Sequence, residues 1–363
     1  RNLFSLWSSL ITRRSKKSSK GTWAMMFEKI FIEEHLKSHP KVQEIQTKFP
    51  ESEFKFIKKI EDVFGRVKKP YLQKRTNLNL FIGEKKGQLV KPAPPAYGLS
   101  GEPHYYFVHA YNCIYECNYC YLQGYFQSPD IVIFLNHQEI GDEIKRLADE
   151  HEKNHPGEKI WFHAGEYSDS LALTHLTGEL PHYFNLFKNL PNAYLELRTK
   201  SVNIKELIKL EPSPNIVVSF SLAPEHRAKM NDLKTPGLKA RLQAIRDLHE
   251  RGFPIGIHFD PIIYDDKLEE SYYDLIHQLS LALPPEAIRY ISIGVVRFTK
   301  NVYHQVLKNY PDSDFLIDDF VKSFDNKIRY NRPTRMWILG KVKSLLVEAG
   351  VPVEKIYECM EDE

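Results

Sequence analysis

Cys113-Ile114-Tyr115-Glu116-Cys117-Asn118-Tyr119-Cys120 places three of the chain's four cysteines within eight residues. Thiolates at this spacing on a tight loop can each take one iron of a cubane iron–sulfur cluster and leave the fourth iron open to a small molecule. A closed structural site would want a fourth ligand nearby, whereas Cys359 lies far downstream in a polar C-terminus and reads as a surface thiol. Zinc is the alternative, because thiolates suit it and His104 or His109 would complete a tetrahedron from just upstream. A disulfide does not fit an odd set of three in a chain with the composition of a reducing compartment, and that composition points to the cytoplasm.

Outward from this loop the chain alternates apolar strands with amphipathic helices. Strands are expected at Tyr105 to Ala110, Lys159 to His163, Ala193 to Arg198, Ile216 to Ser221, Ile255 to Asp260 and Arg289 to Val295. Helical periodicity falls between them, over Gln138 to Glu152, Leu171 to Lys188, Leu238 to Arg251 and Glu270 to Leu283. Six βα units predict an α/β fold with a parallel sheet and helices outside it. Spacing alone does not distinguish a partial barrel from a closed one. In either, ligands gather at the carboxyl ends of the strands, where the cysteine loop, Gly165 to Asp169, Lys200 and Ser221 all fall.

The flanking regions read differently. Arg1 to Lys20 holds six basic residues and no acid, which predicts an unfolded leader over 1–25 with Met25 or Met26 as the start. Spacings of three and four among Phe27, Ile30, Phe31, His35 and Leu36, and again among Phe54, Ile57, Ile60 and Phe64, predict two helices in an N-terminal appendage over 26–92. The barrel follows over 93–300, and a helical extension over 301–363. Within the appendage, Arg66 to Lys91 carries eight Lys or Arg against one acid, interleaved with Tyr71 and Phe81. Such a run can track phosphates while its aromatics stack on bases, or it can be a solvated face.

With a net charge of +3, 42% hydrophobic and 12% aromatic residues in 363, the composition is that of a soluble enzyme with a sizeable core. No apolar run approaches the roughly 18 residues of a membrane span. Gly is only 17 of 363 and no phosphate-cradling glycine motif occurs, so nucleotide hydrolysis and hydride transfer are poor candidates. His35 with His39, and His151 with His155, have the spacing of helical metal pairs, but Pro40 and Pro156 follow and place each second histidine at a helix end. His258 reads as a core-edge histidine rather than a ligand.

CxxxCxxC with the aromatic Tyr119 and Tyr121 beside its last cysteine resembles the signature of radical S-adenosylmethionine enzymes. The run Cys117-Asn-Tyr-Cys-Tyr-Leu-Gln123 is similar to the spore photoproduct lyase branch, which repairs a methyl-bridged thymine dimer in DNA. Matches extend over roughly Lys86 to Tyr310. The resemblance implies a partial (βα)6 TIM-type barrel. It implies a [4Fe-4S] cluster on Cys113, Cys117 and Cys120, with S-adenosylmethionine chelating the open iron and yielding a 5′-deoxyadenosyl radical. An external one-electron reductant of the flavodoxin or ferredoxin type is implied as well.

Further residues follow from the same resemblance. Ala164-Gly165-Glu166 looks like the element that meets the methionyl ammonium, Ser168 like the serine of a Ser-Asp pair, and Lys200 and Ser221 like cofactor-binding residues. Arg297 and Lys300, in Arg-Phe-Thr-Lys, match a family segment suited to phosphate, although Arg297 has Asp260 as an alternative partner. One departure stands out. Glu166 occupies the position of the cysteine that gives a hydrogen atom to the product radical, and a carboxylic O–H bond is too strong for that task. Tyr119, Tyr121 or Tyr167 is then the expected donor, or the substrate differs. The expectation is a radical enzyme acting on damaged pyrimidines in DNA. The alternatives are a radical enzyme for RNA, a peptide or a small metabolite, and a zinc-bearing nucleic-acid-binding module.

Overall fold

The computed structural model describes residues 27–65, 78–94, 97–98, 101–126, 128–316 and 320–361. Two sheets organise it. The larger has eight strands: Val90–Pro92 (β4), His104–Phe107 (β5), Ile160–Ala164 (β8), Ala193–Thr199 (β9), Ile216–Ser221 (β10), Ile255–Ile262 (β11), Ile288–Val295 (β12) and Ile356–Glu358 (β13). Their spatial order is β13-β12-β11-β10-β9-β8-β5-β4, with every pairing parallel except β4 with β5. Strand order therefore follows chain order, as right-handed crossovers through outer helices dictate. Among those helices, His137–Asn154 (α2), Leu180–Lys188 (α3), Leu238–Glu250 (α4) and Leu268–Ala282 (α5) turn apolar faces inward, with Ile140, Ile144, Phe187, Ile245 and Leu279 at or below 1% exposure. β4 and β13 are the two edges, so the sheet is a curled half-barrel, as expected for the partial (βα)6 architecture.

The N-terminal segment departs from expectation. Phe27–Glu33 and Glu53–Ile57, read from the sequence as helices, are strands β1 and β2 of a five-stranded sheet. Leu78–Gly83 (β3), Ala110–Tyr111 (β6) and Ile131–Phe134 (β7) complete it in the order β2-β1-β3-β7-β6. β1 is covered on both faces, with Phe27, Ile30 and Ile32 in one cluster and Phe31 stacked on Phe81 at 4.6 Å. A strand buried on both sides lacks the clean alternation of period two, and its spacings pass for a helix. The described helix of this segment, Pro40–Lys48 (α1), starts where the sequence reading ended one, with His39 as its cap accepting from the Lys41 N–H at 3.2 Å. Because β6 and β7 belong to this sheet, the segment is built into the barrel region rather than appended to it. The C-terminal extension also contributes a strand, β13, along with the expected helix Arg332–Glu348. Residues 1–26 and 66–77, which carry the leader and half of the basic run, lie outside the described residues.

The half-barrel interior is polar at its centre. The Glu196 carboxylate, on β9, accepts from Ser219 Oγ on β10, His258 Nε2 on β11 and Tyr290 Oη on β12, each at 2.6 Å, and pairs with His163 on β8. Arg198, two residues along β9, lies 3.5 Å away. Burial pushes the Glu196 pKa up, but Arg198, His163 and His258 outweigh it and hold the carboxyl well below the usual range. Breaking a buried charge network by removing one partner costs about 3–5 kcal/mol. Glu196→Gln is therefore expected to lose about that much in denaturant unfolding, and a loss under about 1 kcal/mol would show that the strands do not depend on the carboxylate.

A second buried group sits between the two sheets. His109, 3% exposed, lies 3.9 Å from Glu179. Burial brings the His109 pKa down to about 4. The native state thus stays neutral while the unfolded chain takes up a proton near the ordinary 6.5, so stability falls as pH drops from 6.5 toward 4 and levels off below. Glu179, whose pKa burial raises, works in the opposite direction. His109 alone accounts for about 3 kcal/mol over that window. His109→Leu should flatten the fall in Tm between pH 6.5 and 4, and an unchanged slope would assign acid lability elsewhere.

Candidate active site

The cysteine loop is shaped by its own backbone and by a neighbouring loop. Asn112 turns with φ +62°, and its side chain donates to the carbonyls of Ser128 and Asp130 at 2.7 Å each. Cys117 pairs antiparallel with Asp232, from the loop after β10, and the Asn118 N–H donates to the Asn231 carbonyl at 2.9 Å. The Cys120 N–H returns to the Cys117 carbonyl at 3.0 Å, and Leu122–Tyr125 begins a short helix. Cys117 is buried, Cys113 and Cys120 are half-buried, and none of the four cysteines is in a disulfide. Among the described residues no three His, Cys, Asp or Glu side chains converge where one ion would sit. The histidines proposed for zinc are engaged elsewhere, His104 with His163 at 2.9 Å and His109 near Glu179.

The remaining predicted residues gather at the same end of the half-barrel. Gly165 follows β8 with φ +76°, and a Cβ there would stand 2.6 Å from Ser170 Oγ, so this tight turn accepts glycine. Ser168 donates its N–H to the Gly165 carbonyl at 2.9 Å. Glu166 carries a pKa raised by burial, with the Tyr97 hydroxyl, donating to Oε2 at 3.0 Å, pulling the other way. The Tyr121 hydroxyl donates to the Glu166 carbonyl and joins the cysteine loop to this turn. Lys200, at the end of β9, is half-buried rather than free on the surface. Its Nζ lies 3.9 Å from Asp232 Oδ1 and 5.3 Å from the Tyr119 ring centroid. Ser221, buried at the end of β10, offers its carbonyl to Arg241 Nη1 at 2.9 Å.

Two carboxylates to which the sequence reading gave no role hold these parts together. Asp169 accepts from the N–H groups of Leu171 and Ala172, from Thr199 Oγ1 at 2.6 Å and from the Lys200 N–H at 2.7 Å, fixing the turn after β8 to the end of β9. Asp232 takes the Tyr119 hydroxyl and Arg241 Nη1 at 2.9 Å, with Lys200 Nζ alongside. Burial raises its pKa, and Lys200 and Arg241 more than offset that. Tyr119 and Tyr121 are thus both tied to the site, as is Tyr167, whose ring lies 6.4 Å from Tyr121. Arg297 resolves to its structural alternative, bonded twice to Asp260 at 2.9 Å. Cys359 is a correction, because it is 1% exposed at the end of β13 and its Sγ lies 3.4 Å from Arg297 Nη2. Its burial follows from β13 joining the sheet, a pairing invisible in a short C-terminal run.

Residues 25–333 match the sequence profile described as spore photoproduct lyase. The spore photoproduct lyase of Bacillus subtilis (strain 168) is 28% identical over 297 residues, covering 80% of this chain and 84% of that protein. The spore photoproduct lyase of Geobacillus sp. (strain Y412MC61) is 25% identical over 218 residues, covering 59% of this chain and 63% of that protein. Among solved structures, a variant of spore photoproduct lyase with AdoMet and dinucleoside spore photoproduct bound superposes with a TM-score of 0.77 at 19% identity, over 92% of this chain and 98% of that one. A second variant gives 0.78 over the same shares. The profile spans most of the chain, and the cysteine loop stands at the mouth of the same half-barrel architecture. The chain therefore belongs to the spore photoproduct lyase family, and is a radical S-adenosylmethionine enzyme of the kind that uses a [4Fe-4S] cluster and an electron donor.

Proposed function

We propose that the protein repairs a photochemical pyrimidine lesion in DNA, of the class carried by the spore photoproduct named for its relatives. The observation that carries this reading is the convergence of Cys113, Cys117 and Cys120 with Gly165, Glu166, Lys200 and Ser221 at the carboxyl ends of adjacent strands, bound together through Tyr121, Asp169 and Asp232. When bound, the cluster and S-adenosylmethionine supply a 5′-deoxyadenosyl radical able to abstract hydrogen from carbon. The chain positions that chemistry. The three cysteines hold the cluster, the turn at Gly165 and Glu166 offers acceptors to an ammonium, and Lys200 and Ser221 line the nucleoside end. Packing the loop against Asn231 and Asp232 shields it from water.

Beside the loop lies an aromatic surface. Tyr125 is 54% exposed and Tyr121 36%, with their ring centroids 5.4 Å apart and Tyr167 5.4 Å from Tyr125. Such faces take unstacked bases at about 1–3 kcal/mol per base. A lesion repaired here has to leave the helical stack, since the reacting groups are enclosed by protein. The electron is expected from a flavodoxin- or ferredoxin-type donor. Among the described residues no helix is long and apolar enough to cross a membrane. Glu166, standing where the relatives' donor cysteine is expected, favours a second reading, a radical enzyme whose substrate is RNA, a peptide or a small metabolite.

Anaerobic protein reconstituted with iron and sulfide is expected to form 5′-deoxyadenosine from S-adenosylmethionine with dithionite, and Cys117→Ala to abolish it while the protein stays folded. Repair of dinucleoside spore photoproduct by the same preparation, followed by chromatography, separates the two readings. Cofactor cleavage with the lesion left intact would sink the DNA reading. Tyr125→Ala should weaken lesion binding by roughly 5- to 150-fold, the equivalent of about 1–3 kcal/mol. Unchanged binding would show that the aromatic surface does not carry the base.

A further inference from the structure

Tyr97 has no part in the assignments above, yet it stands against Glu166. Its hydroxyl donates to Glu166 Oε2 at 3.0 Å. Its ring meets the His163 ring edge-on, with centroids 4.9 Å apart at 76°, and the Arg198 guanidinium lies 5.4 Å from its centroid. His163 and Arg198 are themselves fixed by Glu196, so the phenol is held by the central network of the half-barrel. On its far side Glu166 receives the Tyr121 hydroxyl at its carbonyl, and Tyr121 follows Cys120 directly. A single residue, Glu166, thus bridges the Tyr97 phenol and the cysteine loop.

Repair of a carbon-bridged lesion by hydrogen abstraction leaves a carbon-centred radical on the product, and that carbon must regain a hydrogen atom. The carboxyl of Glu166 cannot give one, whereas a phenol can, because the resulting phenoxyl is delocalised over the ring. We propose that Tyr97 is the hydrogen-atom donor of this enzyme, with Glu166 as the group that positions it and restores its proton. The proposal rests on the repair reading given above.

The step balances as follows. Rotation about the Cζ–O bond turns the hydroxyl from Glu166 toward the substrate carbon while the ring stays in place. The Tyr97 O–H bond breaks homolytically and a C–H bond forms, so the product radical is reduced by one electron and Tyr97 is oxidised to a neutral phenoxyl. One electron from the low-potential donor that the enzyme already requires, with a proton from the Glu166 carboxyl, returns the phenol, and solvent re-protonates Glu166. Burial favours the protonated form of Glu166, which suits a proton carrier. Two electrons and one S-adenosylmethionine are then consumed per lesion, and the hydrogen gained by the product comes from a solvent-exchangeable site.

The test uses the reconstituted holoenzyme with dithionite, S-adenosylmethionine and dinucleoside spore photoproduct. In D2O the wild-type product should carry one deuterium, with one 5′-deoxyadenosine formed per repair. Rapid freezing should trap a phenoxyl signal in the electron paramagnetic resonance spectrum, narrowed by ring-deuterated tyrosine. Tyr97→Phe should lose the signal and at least tenfold of correctly repaired product, while keeping iron content, Tm and 5′-deoxyadenosine formation. In Glu166→Gln, the phenoxyl formed per 5′-deoxyadenosine released should decay more slowly than in the wild type. Repair by Tyr97→Phe at the wild-type rate, with the signal and deuterium retained, overturns the assignment. Loss of deuterium in Cys359→Ala but not in Tyr97→Phe would transfer the role to that thiol, whose Sγ lies 3.9 Å from the Tyr97 carbonyl, and would overturn it equally. If the wild type cleaves S-adenosylmethionine but leaves the lesion intact, the repair reading fails and the donor role falls with it. Repair without Tyr97 involvement removes the donor role alone.

Discussion

Five neighbouring strands of the half-barrel meet at one carboxylate. Glu196 belongs to β9 and reaches His163 on β8, Ser219 on β10, His258 on β11 and Tyr290 on β12. A closed barrel fills its interior with branched apolar side chains in layers, and the sheet holds its own curvature by closing on itself. This sheet does not close among the described residues, since β4 and β13 are its edges. Its curvature has to come from what fills the concave side. A charge with four hydrogen-bonding partners on four different strands fixes the distances between those strands more sharply than apolar contact does, because such bonds are directional. The cost is the desolvation of Glu196, which Arg198 offsets from the same strand.

The same device recurs closer to the chemistry. Asp169 ties the turn after β8 to the end of β9, and Asp232 ties the loop after β10 to Lys200, Arg241 and the cysteine loop. Each carboxylate therefore links the exit of one strand to the exit of the next. Loops at the mouth of a half-barrel have no closed rim to lean on, and the hydrogen bonds and ion pairs of these two carboxylates take its place. Lys200 shows the consequence, since its half-buried ammonium lies beside Asp232, and desolvation, which lowers its pKa, is more than offset by that carboxylate.

What the sequence disclosed was set by locality. The cysteine loop, the turn at Gly165 and five of the six barrel strands are each carried by residues adjacent in the chain and fall where the motif or its periodicity put them, whereas the expected strand Tyr105 to Ala110 is split, His104–Phe107 lying in the barrel sheet and Ala110–Tyr111 in the other. The N-terminal strands were misread because Phe27 to Glu33 is buried on both faces, so that Ile30 and Phe31 point to opposite clusters and mimic a helical stripe. Asp232 and Cys359 escaped for a different reason. Asp232 takes its meaning from Tyr119 and Lys200, and Cys359 from Ile293 and Arg297, partners that only the folded sheet brings near. A lone aspartate or a C-terminal cysteine carries no local mark of such a partner. The choice for Arg297 between phosphate and Asp260 was open for the same reason, and was decided by geometry.

Glu166 joins these two scales. As a residue in a motif it is a loss, an acid where hydrogen-atom chemistry wants a weak bond. In the fold it gains a phenol, because Tyr97 arrives from a segment well upstream and is held there by His163 and Arg198, the same groups that stabilise Glu196. An acid beside a phenol separates the two duties that a thiol combines. The phenol supplies the weakly bound atom, and the acid supplies the proton that resets it. Such a pair demands more of the fold than a single cysteine does, since two side chains from distant segments must keep one hydrogen-bond distance through a change of oxidation state. A half-barrel whose interior is organised around a fixed charge meets that demand, because the ring of Tyr97 is clamped by groups that cannot move without breaking the Glu196 network.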